Sequence, residues 1–189
     1  MRIVAGTLRG RALITPEHGG LRPTADRVRE SVFNILAHGI AGFDLQGARV
    51  ADLFAGTGAL GLEALSRGAA FCVFVEDDAT ARAIIRRNVE AFGLTGQTRI
   101  FRRDATDLGM AGDRDVANLM FLDPPYGQGL GTRGLASAVV GRWLAPDAII
   151  VCEERDGETI TLPSSLTQID RRTYGDTQIV FLRHGGVAA

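Results

Sequence analysis

The sequence predicts an α/β fold in which a mostly parallel β-sheet carries helices on both faces, and three observations indicate it. From residue 48 onward, short apolar runs alternate with segments whose apolar residues recur at helical spacing. The runs at 48–54 and 118–123 are mainly apolar, which is typical of strands buried on both faces. Gly68 and Gly93 follow two segments of helical spacing, as glycines do at helix ends.

The first 40 residues precede this alternation and predict different elements. Residues 2–5 and 11–15 are short extended runs joined through Gly6 and Gly10, which predicts a β-hairpin. A helix is predicted up to about residue 39, because the apolar residues after Thr24 recur at i, i+4, i+7 and i+8, and Thr24 can cap its first turn. That apolar stripe consists of Val28, Val32, Ile35 and Leu36.

The remaining elements follow in the order expected for repeated β-α units. We predict strands at 48–54, 70–76, 98–102, 118–123 and 148–153, and helices at 59–66, 80–92 and 135–144. Two further runs, at 166–172 and 177–183, flank a Tyr-Gly-Asp turn and predict a terminal hairpin on one edge of a seven-stranded sheet. We therefore divide the chain into an N-terminal hairpin and helix extension, 1–40, which is not an independent domain, and a main domain, 41–189.

The composition is that of a water-soluble protein. At 189 residues, 46% apolar and 23% charged, the chain fits one domain with a sizeable core. No run approaches the roughly 18 apolar residues of a membrane span, so we expect a cytoplasmic protein. Cys72 and Cys152 lie in apolar runs without a nearby histidine pattern, which predicts buried reduced thiols and no metal.

The charge distribution points to the N-terminus. Net charge is −1, so no global basic field is present. All 21 basic residues are arginine, and six of them fall in the first 29 residues against two acids. Codon bias in a GC-rich genome explains the absence of lysine most simply. Arginine also stacks on bases and binds phosphate through two hydrogen bonds, which suits RNA binding.

A glycine-rich turn follows the apolar run at 48–54 and predicts a nucleotide-like cofactor. The sequence 56–61 fits the G-x-G-x-x-G pattern, in which glycines allow a tight turn and close approach to the ligand. Glu76 ends the next strand about 20 positions later, where an acid can accept hydrogen bonds from both ribose hydroxyls. This pattern suits NAD as well as S-adenosylmethionine (SAM). The residues assigned to the cofactor loop are Asp52, Phe54, Ala55, Gly56, Thr57 and Gly58.

Two further residues favour SAM over NAD. Asp52 would repel a pyrophosphate but can bind the amino end of methionine, directly or through water. Asp104 and the amide of Ala105 follow the third strand and can read the adenine amino group and ring nitrogen, although a simple turn would explain Asp104 equally well. In the sequence Glu76-Asp77-Asp78, we expect Asp78 to serve as a helix cap.

The sequence Asp123-Pro124-Pro125-Tyr126 follows the fourth strand and predicts a site for an amine on a flat ring. The Asp123 carboxylate and the Pro124 carbonyl can accept hydrogen bonds from the two amine hydrogens and hold the nitrogen in line with a methyl donor. The prolines fix the backbone. Tyr126 offers a stacking face, worth about 1–3 kcal/mol per base. A proline turn with an aromatic lid is the structural alternative.

At these motifs the chain resembles methyltransferases of exocyclic base amines, and within them the bacterial RsmD-type family of 16S ribosomal RNA (guanine-N2)-methyltransferases. The resemblance covers nearly the whole chain. It rests on 6–11, the Arg-Pro-Thr segment 22–30, the run 52–69, the 123–126 motif and the sequence 174–177. The N-terminal Arg-Pro-Thr segment is its discriminating part.

The resemblance implies a Rossmann-like SAM-dependent methyltransferase fold and SAM as methyl donor. It also implies one guanine of 16S rRNA as target, in the 30S subunit or a late assembly intermediate. It gives the 52–58 loop, Glu76 and Asp104 cofactor roles, and Asp123, Pro124 and Tyr126 acceptor roles. No metal and no protein partner are expected.

RNA binding is assigned to the extension. We expect Arg9 and Arg11 to contact phosphate, and Arg22 or Arg27 to lie near the cofactor or target base, with Thr24 and Pro125 as further substrate contacts. For each arginine alone, a solvated or ion-paired surface role explains the residue equally well.

Four other functions share part of this pattern. A DNA or RNA adenine-N6 methyltransferase shares the proline motif, but the chain has little room for the recognition region of a DNA enzyme. A methylase of glutamine side chains usually has Asn in place of Asp123. An NAD-dependent oxidoreductase would need an acid/base site that the motifs lack. A non-catalytic RNA-binding assembly factor would leave the amine-holding motif without a purpose.

Overall fold

The computed structural model describes residues 1–16 and 23–185. Its helices are α1 (Pro23–His38), α2 (Ala59–Ser66), α3 (Ala79–Phe92) and α4 (Leu130–Val140). Its strands are β1 (Arg49–Leu53), β2 (Phe71–Val75), β3 (Thr98–Phe101), β4 (Ala117–Leu122), β5 (Leu144–Arg155), β6 (Leu166–Tyr174) and β7 (Thr177–His184).

The strands form one seven-stranded sheet in the order β3-β2-β1-β4-β5-β7-β6. Neighbouring strands from β3 to β5 pair in parallel, whereas β7 runs antiparallel to both β5 and β6. The predicted mostly parallel sheet with a terminal hairpin is therefore confirmed. Strand order reverses between β1 and β4, and ligands of open α/β sheets bind at such a switch point. Leu53 pairs with Leu122, so the segments after β1 and β4 leave the sheet side by side.

Side chains from the two faces of the sheet form two cores, as expected for strands covered on both sides. Phe121 packs with Phe33 of α1 in one core, which also holds apolar residues of α2, α3 and the N-terminus. Met120 and Leu122 face the other core, where α4 and the buried Trp143 pack. This alternation is the two-residue period of a β-strand.

The N-terminal segment, residues 1–16, folds back on itself as the predicted hairpin, but its arms are too short to form regular strands. The Ile3 N–H donates to the Arg11 carbonyl at 3.0 Å, and the Leu13 N–H donates to the Met1 carbonyl at 3.1 Å. These bonds lie on either side of an antiparallel bridge in the two arms.

The hairpin also packs on α2. Thr7 donates from its backbone N–H to the Ser66 carbonyl at 2.8 Å. Gly6 has φ +82°, and a Cβ there would lie 1.9 Å from the Ser66 oxygen. The turn of the hairpin therefore lies in close contact with α2, and Gly6 is the residue that permits it.

Helix α4 begins and ends earlier than the predicted range 135–144. The glycines of its first turns weaken the helical signal in the sequence. The folded chain needs one of them, because a Cβ at Gly134 would lie 3.0 Å from Leu122 Cδ2 and 3.3 Å from Phe54 Cε2. Close approach of α4 to the sheet explains why a poor helix former stands in the helix.

The remaining predictions from composition concern the membrane and the cysteines. Among the helices of residues 23–185, none combines the length and apolar character needed to cross a bilayer. Cys72 and Cys152 are buried and free, as predicted. Burial raises the pKa of both thiols, that of Cys152 to about 12, so they stay protonated at neutral pH.

Candidate active site

A cavity of about 230 Å³ lies at the carboxyl ends of β1, β4 and β5, where the topology predicts a ligand site. The loop after β1 forms one wall and the segment after β4 forms another. Helix α1 and the turn between β6 and β7 close the remaining sides. The polar and aromatic lining includes Arg29, Asp52, Phe54, Asp123, Tyr126 and Glu153.

The cofactor loop, residues 54–58, takes an unusual backbone path. Phe54 has φ +57°, a conformation that costs about 1–3 kcal/mol for a residue with a side chain. Gly56 and Gly58 also have positive φ, and the Gly58 N–H donates to the Ala55 carbonyl at 2.7 Å. The resulting turn brings the backbone of the predicted residues Phe54, Ala55, Gly56 and Thr57 to the cavity wall.

Gly61 allows α2 to lie close to the sheet behind this loop. A Cβ at this position would be 2.4 Å from a ring carbon of Phe74 and 2.5 Å from the Cys72 sulfur. The same residue donates its backbone N–H to Asp52 Oδ2 at 2.9 Å. The third glycine of the sequence pattern therefore serves packing and orients the predicted cofactor residue Asp52.

Asp52 is a buried carboxyl group on the cavity wall, with 1% of its surface exposed. Burial raises the pKa of Asp52 to about 7, the Gly61 hydrogen bond opposes that rise, and the negative charge of Glu76 adds to it. A cationic ligand group beside Asp52 would favour the ionised form. The site thus suits the amino end of a methionine.

Glu76 and Asp78 have separate roles after β2. Glu76 accepts hydrogen bonds from the Gly56 N–H at 2.8 Å and from the Asp78 N–H at 2.9 Å, so it braces the cofactor loop. Asp78 caps α3 by accepting from the Ala81 N–H at 2.7 Å, which confirms the predicted cap. A carboxylate has about four lone-pair sites, so the Glu76 bonds leave room for ribose hydroxyls.

Asp104 forms a turn after β3 and lies beyond the cavity lining. Its Oδ1 accepts hydrogen bonds from the Thr106 N–H at 2.7 Å and from the Thr106 hydroxyl at 2.8 Å. These bonds hold the pKa of Asp104 below its usual value. Ala105 is buried in the second core. The geometry favours the turn-forming alternative for Asp104, and the adenine contact stays a prediction.

The acceptor segment, residues 123–126, is anchored through its tyrosine. The Tyr126 hydroxyl donates to Glu153 Oε1 and lies 2.9 Å from Thr177 Oγ1. These partners belong to β5 and β7, so both strands fix the ring at the cavity. Pro124 is buried and Pro125 is exposed. The structure therefore brings the predicted residues Asp123 and Tyr126 to the same cavity as Asp52.

Negative charge surrounds Asp123. The residue is exposed as a whole, yet desolvation of its carboxyl group and the nearby carboxylates of Glu153 and Asp52 raise the pKa of Asp123 well above its usual value. Such a group accepts hydrogen bonds when ionised and is a stronger base than a solvated aspartate. Sequence reasoning missed Glu153. Its place at the end of the strand beside β4 is a signal that only the sheet order reveals.

Helix α1 contributes a different arginine from those predicted. Arg29, 4% exposed, lines the cavity and donates to the Arg2 carbonyl at 2.6 Å and to Asp26 at 2.8 Å. Arg27 is exposed and does not line the cavity. Arg22 and the side chain of Thr24 lie outside the described residues.

The two arginines predicted to bind phosphate differ in their contacts. Arg9 is exposed. Arg11 donates to the Ala91 carbonyl at 2.5 Å, and its guanidinium lies 4.7 Å from the Phe92 ring centroid. In this structure Arg11 therefore holds the N-terminal segment against α3, and phosphate contact by either arginine stays a prediction.

Asn88 links the N-terminal segment to the cofactor loop. This buried residue of α3 accepts from the Ile14 N–H at 2.7 Å and donates to the Ile14 carbonyl at 3.1 Å. Its amide also donates to the Thr57 carbonyl at 3.1 Å. Residues of the N-terminus therefore fix the backbone of the loop, a role that no sequence pattern indicated.

Within residues 1–16 and 23–185, no group of His, Cys, Asp and Glu is arranged to hold a metal ion. The groups that line the cavity include carboxylates, backbone atoms of glycine, an arginine and aromatic rings. Such a set can hold a cationic or amine-bearing ligand and stack a flat ring.

Comparison with known proteins shows the family to which the chain is related. Residues 1–183 match the sequence model of a family described as conserved hypothetical protein 95. Ribosomal RNA small subunit methyltransferase D from Escherichia coli is 38% identical over 87% of this chain and 80% of its own length. The Haemophilus influenzae protein of the same name is 33% identical over 93% and 89%. The solved structure of yhhF from Escherichia coli, a candidate methyltransferase, superposes with a TM-score of 0.83 at 33% identity and covers 98% of both chains.

Proposed function

The chain belongs to the conserved hypothetical protein 95 family, the RsmD-type family that its motifs resemble, and we propose that it methylates the exocyclic N2 amine of a guanine in 16S rRNA with SAM as donor. A methyltransferase acting on small-subunit ribosomal RNA is the function named for its relatives. The choice of guanine N2 is the finer part of the proposal. A ribosomal substrate places the enzyme in the cytoplasm.

The observation that carries the proposal is the convergence of two motifs on one cavity. Leu53 pairs with Leu122, so the cofactor loop and the acceptor segment begin at neighbouring positions on adjacent strands. Both line the same cavity. A methyl donor and an amine must lie within about 3–3.5 Å in a reactive arrangement, and neighbouring strand ends provide that proximity.

The residues on the cofactor side fit SAM. Asp52 is a buried carboxyl group with a raised pKa. A cationic amino group beside it would lower that pKa and favour the ionised form. Residues 54–57 line the cavity, and Glu76, which accepts a hydrogen bond from the Gly56 N–H behind the loop, is the residue that we assign to the ribose. When bound, SAM supplies a methyl group on a sulfonium sulfur, which an amine nitrogen can displace in one step.

On the acceptor side, the protein positions the amine. The Asp123 carboxylate and the Pro124 carbonyl accept hydrogen bonds from the amine hydrogens, and the anchored Tyr126 stacks on the base. When it is ionised, Asp123 lies beside the nitrogen and can take the proton that the nitrogen loses after transfer. No strong base is required.

A transfer assay tests the function. Purified protein and isotope-labelled SAM are incubated with unmodified small ribosomal subunits, with naked small-subunit RNA and with DNA, and nucleosides are identified by mass spectrometry. We expect labelled N2-methylguanosine from subunits or their RNA. Labelled N6-methyladenosine in RNA, or N6-methyladenine in DNA, would replace guanine by adenine as the target. No transfer to any substrate, despite SAM binding, would favour a non-catalytic assembly factor or a protein substrate.

The role of Asp123 is tested by replacing its side chain. Asp123→Ala should lower kcat by about 100-fold or more, because the amine loses the group that orients it. SAM affinity, measured by calorimetry, should remain near that of the wild type. Asp113→Ala removes an exposed carboxylate from the loop between β3 and β4 and is the matched control. Equal activity of Asp123→Ala and the control would refute the assignment.

A further inference from the structure

Glu153 lies in the cavity, but the proposed transfer does not use it. It extends β5 beyond Cys152, which pairs with Leu122 in the neighbouring strand. Asp123 follows Leu122 and Glu153 follows Cys152, so the two acidic residues lie side by side at the ends of strands about 4.8 Å apart. Both line the cavity. This register places a second carboxylate directly beside the amine-holding residue.

The position of Glu153 is set by its place in β5, where its backbone pairs with Ile179 of β7. Glu153 accepts a hydrogen bond from the Tyr126 hydroxyl, which also lies 2.9 Å from Thr177 Oγ1. An ionised carboxylate accepts about four hydrogen bonds, so the tyrosine contact is compatible with a bond to a ligand. A base stacked on Tyr126 would present its edge to Asp123 and Glu153 together.

The edge of guanine fits two adjacent acceptors. Guanine carries hydrogens on N1 and on the exocyclic N2 amine, side by side on its Watson–Crick edge. Adenine carries an amine at N6, but its N1 is a lone-pair acceptor. Enzymes that act on exposed bases read this edge through hydrogen bonds.

We propose that Glu153 selects guanine over adenine by accepting a hydrogen bond from guanine N1–H while Asp123 and Pro124 hold the adjacent N2 amine. The inference rests on the proposed function, since it concerns the base at the same site. A carboxylate facing the lone pair of adenine N1 would repel it and leave two acceptors without a donor, so the same residue that binds guanine rejects adenine.

The base analogue 2-aminopurine isolates this contact. It keeps the exocyclic amine at the position of guanine N2, but its N1 has no hydrogen. After mass spectrometry has located the target guanosine, small-subunit RNA is prepared with guanosine or 2-aminopurine riboside at that position. The wild type should prefer guanosine by roughly 10- to 100-fold in kcat/KM, the effect of one lost hydrogen bond to a charged, partly buried group.

Two variants separate base selection from support of Tyr126. Glu153→Gln can donate its amide hydrogen to N1 of 2-aminopurine, so the preference should fall below about threefold. Tyr126→Phe removes the hydroxyl that contacts Glu153 and keeps the ring, so the preference should remain. SAM affinity measured by calorimetry reports that both variants are folded.

The outcomes are distinct. The inference is supported if the preference for guanosine over 2-aminopurine riboside falls in Glu153→Gln and stays at the wild-type value in Tyr126→Phe. An unchanged preference in Glu153→Gln overturns it, because 2-aminopurine also lacks O6 and another residue would then discriminate. An equal loss in Tyr126→Phe also overturns it, since Glu153 would only position the ring. A wild type that methylates no guanosine in ribosomal RNA refutes the proposed function itself.

Discussion

Glu63 of α2 is the most connected buried carboxylate among the described residues, and its removal tests how the N-terminal segment is held. It has no exposed surface. It accepts hydrogen bonds from the N–H groups of Val4 at 2.8 Å and Ala5 at 3.0 Å. It also forms ion pairs with Arg67 at 2.7 Å and with the buried Arg29 at 3.6 Å. One side chain therefore joins α2 to α1 and to the N-terminus.

Glu63→Ala should lower the free energy of unfolding by about 3–5 kcal/mol, the usual effect of removing one partner from a buried ion pair. The guanidinium of Arg29, 4% exposed, would lose a carboxylate, and two backbone N–H groups would lose their acceptor at about 1–3 kcal/mol each. Arg67 is 14% exposed and can turn toward water. For a protein of this size the midpoint of thermal unfolding should fall by roughly 6–20 °C.

Urea unfolding followed by circular dichroism measures the change. Glu63→Gln keeps the shape of the side chain, so it separates the loss of charge from the loss of packing. Glu90→Ala, at an exposed position of α3, is the matched control and should change stability by no more than about 0.5 kcal/mol. A loss below about 1 kcal/mol in Glu63→Ala would refute the reasoning, because the segment would then be held without its buried carboxylate.

Three further predictions concern Asp52 and Asn88, which lie beside the cofactor loop. The pKa of Asp52, raised to about 7, predicts that wild-type affinity for SAM increases between about pH 6 and 8, whereas calorimetry on Asp52→Asn should show little dependence on pH. Without ligand, this raised pKa means that the folded state holds the proton more tightly than the unfolded state, so stability should fall as pH rises from about 4 through 7, and a flat urea midpoint across that range would contradict the assignment. Asn88→Ala leaves the polar backbone groups of Ile14 and the Thr57 carbonyl without a partner, so it should cost about 1–3 kcal/mol of stability and also weaken SAM binding. Asn88→Asp keeps the acceptor for the Ile14 N–H but turns a buried carboxylate oxygen toward the Ile14 and Thr57 carbonyl oxygens, so it should be no more stable than Asn88→Ala. Wild-type SAM affinity in Asn88→Ala would show that the loop does not depend on this link.

Most of the fold could be predicted because local pattern and global fold agree. Apolar runs of strand length located the seven strands to within a few residues. Helical spacing followed by a glycine located helices α2 and α3 with similar accuracy. Helix α4 was placed too late because Gly134 is a poor helix former. The reason for this glycine is the close packing of α4 on the sheet, because a Cβ at Gly134 would lie 3.0 Å from Leu122 Cδ2. This constraint is tertiary and is absent from local sequence.

The candidate site likewise contains residues that the sequence could predict and residues that it could not. Asp52, the glycine loop and Asp123 could be identified because each closes an apolar run, and the ends of parallel strands meet at one edge. Glu153 also ends a strand, but its relevance depends on β5 lying beside β4. Arg29 depends on the docking of α1, since Arg27 on the same helix is exposed. Residues supplied by helix docking or sheet order are thus the ones that a sequence motif does not reveal.

The N-terminal segment belongs to the cavity as much as to any RNA-binding surface. Met1 lines the cavity, and the Arg2 carbonyl accepts a hydrogen bond from Arg29. Asn88 connects Ile14 to the cofactor loop. A truncation of residues 1–16 would therefore remove part of the cavity wall together with the exposed Arg9. Loss of methylation after such a truncation could not be assigned to RNA binding, because the same change removes support from the cofactor loop; only point variants on the outer face of the segment separate the two effects.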